Sequence, residues 1–435
     1  MPKRRNFLSC LPVGLSGFSM PRLLGSDASW EQWGGPTRDF RVNPIPEMES
    51  LKRPSTVWQR SLGLGHSAIV ANADHGFTTH LDDNHDVLTK WRIADGRIAW
   101  ESRRRVTYHS PTKAYDGPHT TPVLSRNQVL TVNNDALVRS FDIETGRERW
   151  KVDLKQTCGT TLPQSGYASS PLIWQNLLIV PTLGIPQPSE TERFAPNLAN
   201  SVKTVVPGAV ALDLLTGDEV WRTDTFRSSH SSPVLIEVND QPVIVFHGMF
   251  ELLGIDPRQG NVLFRQLLRK SAADNVSFTP IWDPSRQQIL ISHGYCNFGT
   301  QAIRLQNTEG GWSTNVAWTN RRMRLVHTNA VMFDEVLLGA SESITAGIDV
   351  RDGTTLFRQR GFGEGNFLAV GSEVLLISES GELIAGKPGR DGIELLWRMR
   401  VFKDQPAWTV PTLVGDRLLL RNVSQLKQLR FQFVP

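Results

Sequence analysis

Short apolar runs, each ended by a cluster of turn residues, follow one another along the chain, and one phrase recurs among them: an apolar strand, then Asp-x-x-Thr-Gly, then three residues and an aromatic. The fullest copies are Ala211-Leu-Asp213-Leu-Leu-Thr216-Gly217-Asp-Glu-Val-Trp221 and Asp142-Ile-Glu-Thr145-Gly146-Arg-Glu-Arg-Trp150. Looser ones run from Asp256 through Gly260 to Phe264, from Asp349 through Gly353 to Phe357, and from Asp95 through Gly96 to Trp100. More decayed copies lead through Gly310 and Gly311 to Trp318 and through Asp391 and Gly392 to Trp397. Asp can accept from the backbone two residues on and Gly takes a positive φ, so each copy predicts a β-hairpin with its aromatic on the second, outer strand.

The aromatics are separated by 50, 71, 43, 54, 39 and 40 residues, and about 40 suits a four-stranded propeller blade. Trp58 supplies an eighth aromatic strand with no hairpin before it, while the chain after Trp397 offers three strands that lack a fourth. Pairing the two predicts an all-β, eight-bladed β-propeller of four-stranded antiparallel blades, closed by the N-terminal strand completing the last blade, which removes the open sheet edges. The inner strands open on a small polar residue or His before Pro, as in His119-Thr-Thr-Pro122, Ala168-Ser-Ser-Pro171, His230-Ser-Ser-Pro233 and Ser277-Phe-Thr-Pro280. Pro cannot donate to a ladder and suits a strand beginning.

Charge changes the picture little: 47 Lys and Arg against 43 Asp and Glu give a net +4 over 435 residues, too weak a field to favour nucleic acid. No apolar run past the N-terminus is long enough to span a membrane, and a monomer is expected. Cys10, Cys158 and Cys296 are too few and scattered for a disulfide framework or a zinc site, although one Cys158 to Cys296 bridge stays open beside two separate thiols. Residues 1–28 read as a signal peptide, with Arg4-Arg5-x-Phe7-Leu8 twin-arginine-like and Ser26-Asp27-Ala28 a small-residue cleavage site. That reading makes 29–56 a lead-in segment, 57–435 the propeller, and the protein exported to the periplasm or beyond; a short cytoplasmic tail is the alternative.

The Ala-x-Asp-x-x-Thr-Gly-x-x-x-Trp phrase resembles the tryptophan-docking motif of the PQQ-like β-propeller family, which contains quinoprotein alcohol dehydrogenases and the assembly factor BamB. Trp30-x-x-Trp33-Gly34-Gly35-Pro36-x-Arg38-Asp39 is similar to the lead-in of exported single-propeller members. The resemblance covers residue 30 to the end and specifies the fold better than the function. For the enzymes it implies a vicinal Cys-Cys disulfide, a Trp beneath the quinone, calcium and an Asp base. This chain has no Cys-Cys pair and no Cys-x-x-Cys-His haem signature. The expectation is therefore an exported non-catalytic scaffold, without cofactor, that binds a protein or glycan. A PQQ- and calcium-dependent oxidoreductase is the alternative, with a hydrolase or lyase of scattered site behind it; no local nucleophile elbow, Walker loop or His-Glu-x-x-His helix appears.

In a propeller the outer-to-inner connection lies on the same face as the loop between the second and third strands. The Pro-rich insertion beginning at Gly184, and the segment from Arg103-Arg104-Arg105 to Gly117 with Tyr108, His109 and Tyr115, are both expected there. His66, His119, His230 and His327 sit near inner-strand openings and point to the channel mouth, where together they could take a metal or an anion, or could simply satisfy loop backbone. Asn366 and Trp408 occupy similar openings. Trp408 could stack on a sugar or quinone, but burial in the core is the expectation for it.

Overall fold

The computed structural model describes residues 29–44, 50–106, 117–160, 162, 166–182, 206–224, 226–268, 276–294 and 298–432. Their strands form eight sheets, each a four-stranded antiparallel meander but for one added strand. From inner to outer strand, blade one comprises Val70–Ala71, His75–Asp82, His85–Arg92 and Ile98–Arg105. Blades two to seven repeat the plan, with inner strands Val123–Ser125, Leu172–Trp174, Val234–Val238, Ile281–Asp283, Ala330–Phe333 and Gly365–Val370. Blade eight takes Thr412–Val414, Arg417–Arg421 and Gln425–Arg430 from the end of the chain and its outer strand, Ser55–Ser61, from the beginning, with Trp58 opposite Gln428. The expected ring and its closure are both present.

Middle strands lie between neighbouring blades and are apolar on both faces, as in the fully buried Leu177–Pro181. Outer strands alternate exposed and half-buried positions and carry the charges; Ile98–Arg105 ends on three arginines, which blunts an edge strand against pairing with another chain.

The repeated phrase is the mortar between blades. Asp142 Oδ1 accepts from the amides of Glu144 (3.1 Å) and Thr145 (2.9 Å), Gly146 follows at φ 70°, and a Cβ there would stand 2.7 Å from the Trp100 ring of the preceding blade. That indole donates to the carbonyl of Ile143 (3.1 Å), as Trp58 donates to Ile93, Trp150 to Leu214, Trp221 to Pro257 and Trp318 to Val350 at 2.8–3.0 Å. Each Trp thus docks on the turn of the next blade, flat against its glycine. The two Phe positions precede the two decayed turns: Phe264 meets Trp312 of blade five (centroids 5.7 Å), and Phe357 packs beside Ile393 of blade seven. Their cross-strand partners are Gly254 and Gly347, which leave room for a ring on its own blade. Trp397 has no turn ahead of it, because blade eight is split between the chain ends, and the carbonyl of Leu51 in the lead-in takes its indole N–H (2.5 Å).

The lead-in is no appendage. Trp30 exchanges two backbone hydrogen bonds with Ala71 of blade one, and the carbonyl of Glu31 accepts from Leu124 of blade two. Arg38 donates to Pro171 O (2.9 Å) and Ser170 O (3.3 Å) beside blade three, Trp33 to Thr279 Oγ1 (2.9 Å) beside blade five, and Arg41 to Met332 O (2.6 Å) in blade six. Arg41–Val42 then adds a parallel strand to blade seven, Arg41 opposite Ala369. A segment this short that touches the inner strands of six blades crosses the central axis. Trp30, Arg38 and Phe40 are each at most 2 % exposed.

Candidate functional site

At the inner-strand openings Ala68, Thr121, Ser170, Ser232, Thr279, Asn329, Asn366 and Val410 stand at equivalent positions, and several of them repeat a role. The amide of Ala68 donates to Thr121 Oγ1 (3.2 Å), that of Thr121 to Ser170 Oγ (2.9 Å), and that of Ser170 to Ser232 Oγ (2.9 Å). Across the ring the amide of Asn329 donates to Asn366 Oδ1 (3.0 Å), and Asn366 Nδ2 passes to the carbonyl of Trp408 (2.6 Å). Thr412 Oγ1 of blade eight donates to the carbonyl of Ile69 beside blade one (2.8 Å). In blades one, two, three and six a backbone donor is therefore satisfied by a side chain of the next blade, a role for the small polar residue that stands before Pro. Asn366, expected at the mouth, is buried in this belt.

Two residues earlier in each opening lie His66, His119, Ala168, His230, Ser277, His327, Glu364 and Trp408, one from each blade. The structure brings three of the expected site residues into contact: His119 stacks on His66 (centroids 5.0 Å, 18° between planes), and His66 stacks on Trp408 (5.1 Å, 28°). Trp408 is not core, as expected of it, but 37 % exposed. Among the described residues it is the only tryptophan so open.

His230, half-buried, and His327, exposed, occupy the same level in blades four and six. Although the His327 side chain reaches solvent, the protein packed around its ring lowers the imidazole, against the opposing pull of Glu379. Burial, then Glu379 and Glu342, raises the Glu364 carboxyl. Glu364 and Glu379 are held together by Glu379 N–H donating to Glu364 O (2.7 Å), and Glu379 O accepts from Ala407 N–H (2.9 Å), next to Trp408. Among the described residues no three His, Cys, Asp or Glu side chains gather as metal ligands would.

Composition and spacing missed two buried charge sets. Arg104 reaches Asp86 (3.0 Å) and Asp135 (2.9 Å) between blades one and two, and burial raises the Asp86 carboxyl in spite of Arg104. Where blade eight meets blade one, Arg421 is buried without an acid: its guanidinium donates to the carbonyls of Ser67 (2.8 Å), Gly65 (2.8 Å) and Thr79 (3.0 Å), and burial lowers its pKa to about 9. Beside it a cleft of ≈ 270 Å³ holds His80, Glu101, Asp82 and Arg103.

The connections 83–84 and 133–136, and the described ends 182 and 206–208 of a third, share the mouth face with the outer-to-inner connections, as the meander requires. The insertion core, 183–205, and the segment 107–116 with Tyr108, His109 and Tyr115 lie outside the described residues, as do residues 1–28 and Cys296. Cys158 is a buried free thiol whose Sγ lies 3.1 Å from Leu154 O in the short helix Leu154–Cys158. No helix among the described residues is long and apolar enough to cross a membrane.

A ring whose axis is crossed at one end and bordered at the other by one side chain per blade defines a single-ring propeller with a loop-bearing mouth. A family model described as outer membrane protein assembly factor BamB matches residues 50–185 and 165–359, most of the chain's length. The chain belongs to that family of PQQ-like β-propellers. The BamB structure from Moraxella catarrhalis is similar over 88 % of this chain and 99 % of its own, at 14 % identity and a TM-score of 0.59. The quinohemoprotein alcohol dehydrogenase from Comamonas testosteroni is similar over 93 % of this chain and 80 % of its own (11 % identity, TM-score 0.51). The computationally designed Ika8 protein matches 85 % of this chain and 98 % of its own (12 % identity, TM-score 0.56). At these identities the likeness establishes the fold. No curated protein matches the chain.

Proposed function

We propose that this propeller is an exported, non-catalytic binding scaffold that takes a protein or glycan partner on its mouth face. The observation that carries the reading is the one-ended axis: the lead-in crosses the far end through contacts to six blades, which leaves the mouth bordered by His66, His119, His230, His327, Glu364 and Trp408 as the open end. The BamB-like fold supports a scaffold, and the twin-arginine-like residues 1–28 support export. Absence of a Cys-Cys pair and of a haem signature from the sequence supports a role without redox chemistry. The mouth side chains, four imidazoles and a carboxylate, also fit poorly the oxygen-rich shell that calcium prefers.

Deleting residues 184–204 tests the face. Loss of partner recovery in a pull-down, with the deletion variant still cooperatively folded, is the expected result; undiminished recovery overturns it. Equilibrium titration with pyrroloquinoline quinone and calcium is expected to give no saturable binding at micromolar cofactor, and saturation there would replace the scaffold with an oxidoreductase.

A further inference from the structure

Trp408 is built differently from the tryptophans that tie the blades and the lead-in together. Trp33 and the docking tryptophans Trp58, Trp100, Trp150, Trp221, Trp318 and Trp397 all donate their indole N–H to an oxygen of another blade or of the lead-in. The Trp408 N–H makes no hydrogen bond among the described residues, and the ring is 37 % exposed at the mouth. Exposure of a large apolar ring costs free energy, which usually makes such a ring retreat or move. Here it is held: His66 backs one face at 5.1 Å, His119 backs His66, and Asn366 fixes the backbone carbonyl at 2.6 Å. An open, pre-positioned aromatic surface with a free donor at its edge loses little entropy when a ligand covers it.

We propose that Trp408 is a stacking platform for one pyranose ring of a non-acidic oligosaccharide, with Glu364 as the neighbouring acceptor for its hydroxyls. This rests on the scaffold reading and chooses the glycan over the protein for this part of the mouth. A pyranose presents an apolar C–H face about the size of an indole and a rim of hydroxyls, which need acceptors and donors beside the ring. Glu364 stands at the equivalent position of the adjacent blade, joined to the Trp408 segment through Glu379 and Ala407. Glu379 and Glu342 both press like charge on Glu364, and a uronic acid brought beside it meets the same sign.

The test uses full-length protein labelled with ¹⁵N in its indoles, titrated with cellohexaose, maltohexaose, chitohexaose and polygalacturonate. The resonance lost in Trp408→Phe identifies Trp408. The proposal expects that resonance to move saturably with at least one neutral sugar and not with polygalacturonate. Affinity should fall tenfold or more in Trp408→Ala and a few-fold in Glu364→Gln, with the other indole resonances unmoved as proof of fold. If Trp408→Ala perturbs those resonances, Trp408→Phe, which keeps a stacking ring but no donor, supplies the affinity comparison, and unchanged binding in it together with Glu364→Gln overturns the proposal. So does no movement with any neutral sugar at 10-fold molar excess or above, up to millimolar ligand. Movement with polygalacturonate alone also overturns it. In each of those cases a pull-down that still depends on residues 184–204 leaves the scaffold reading standing, whereas its loss alone would fell that reading and not this one.

Discussion

Acid should loosen the ring at the place where it closes. His80 lies in His75–Asp82 of blade one and is 4 % exposed. Its Nδ1 accepts from Gly63 N–H (3.2 Å), and its Nε2 lies 2.9 Å from Thr89 Oγ1, whose hydroxyl donates to Glu101 Oε1 (3.2 Å). Nε2 is thus the donor and the ring is neutral; a proton on Nδ1 would face the Gly63 amide donor. Burial first, then Arg421, hold the pKa down to about 4, against ~6.5 in an unfolded chain. A depressed folded pKa means that the unfolded state takes up the proton first as the pH falls. The contribution is therefore complete above about pH 6.5 and is lost between there and about 4, reaching about 2.5 kcal/mol by pH ~4.5. Urea unfolding at several pH values between 7.5 and 4.5 measures it, with His80→Asn, which keeps an acceptor for Gly63, as the reference that removes the titration. The wild type should lose about 2 kcal/mol more than the variant over that range. Parallel losses in the two proteins would refute the assignment of the proton to His80.

Gly217→Ala puts a Cβ 2.7 Å from the Trp150 ring at φ 78°, and should destabilise by roughly 2 kcal/mol or more, read as a lowered urea midpoint. Arg421→Met leaves the carbonyls of Gly65, Ser67 and Thr79 without their donor between the first and last blades, and should cost about 3 kcal/mol in the same assay. Trp58→Ala removes the docking ring of the closing strand and should cost about 3–5 kcal/mol, with hydrogen exchange rising first in Ser55–Ser61 and Gln425–Arg430.

The ring was legible because its mortar is local: Asp142 to Trp150 and Asp213 to Trp221 each hold a turn, a glycine and a docking aromatic within a dozen residues. Closure through Trp58 was legible because one aromatic strand and three partnerless strands stood at opposite ends. The lead-in was seen as a motif but not as an axial segment, since Trp33 meets Thr279 and Arg41 meets Met332 across most of the sequence, and no periodicity encodes such contacts. The Ser, Thr and Asn belt had a signal, the polar residue before each Pro, which spoke of strand beginnings when its larger role is to satisfy the neighbouring backbone. Four mouth histidines could be listed, yet only the fold sets His66 between His119 and Trp408 and leaves His230 and His327 in other blades.

The first strands of this chain wait for the last. Ser55–Ser61 finds its sheet only when Gln425–Arg430 exists, and Arg41–Val42 only when Gly365–Val370 does, so early segments emerge from synthesis with their ladders open. Such long sequence separations slow folding and prolong the interval in which sticky edges are bare. Whatever shields the nascent chain must therefore remain until the carboxyl-terminal residues have arrived.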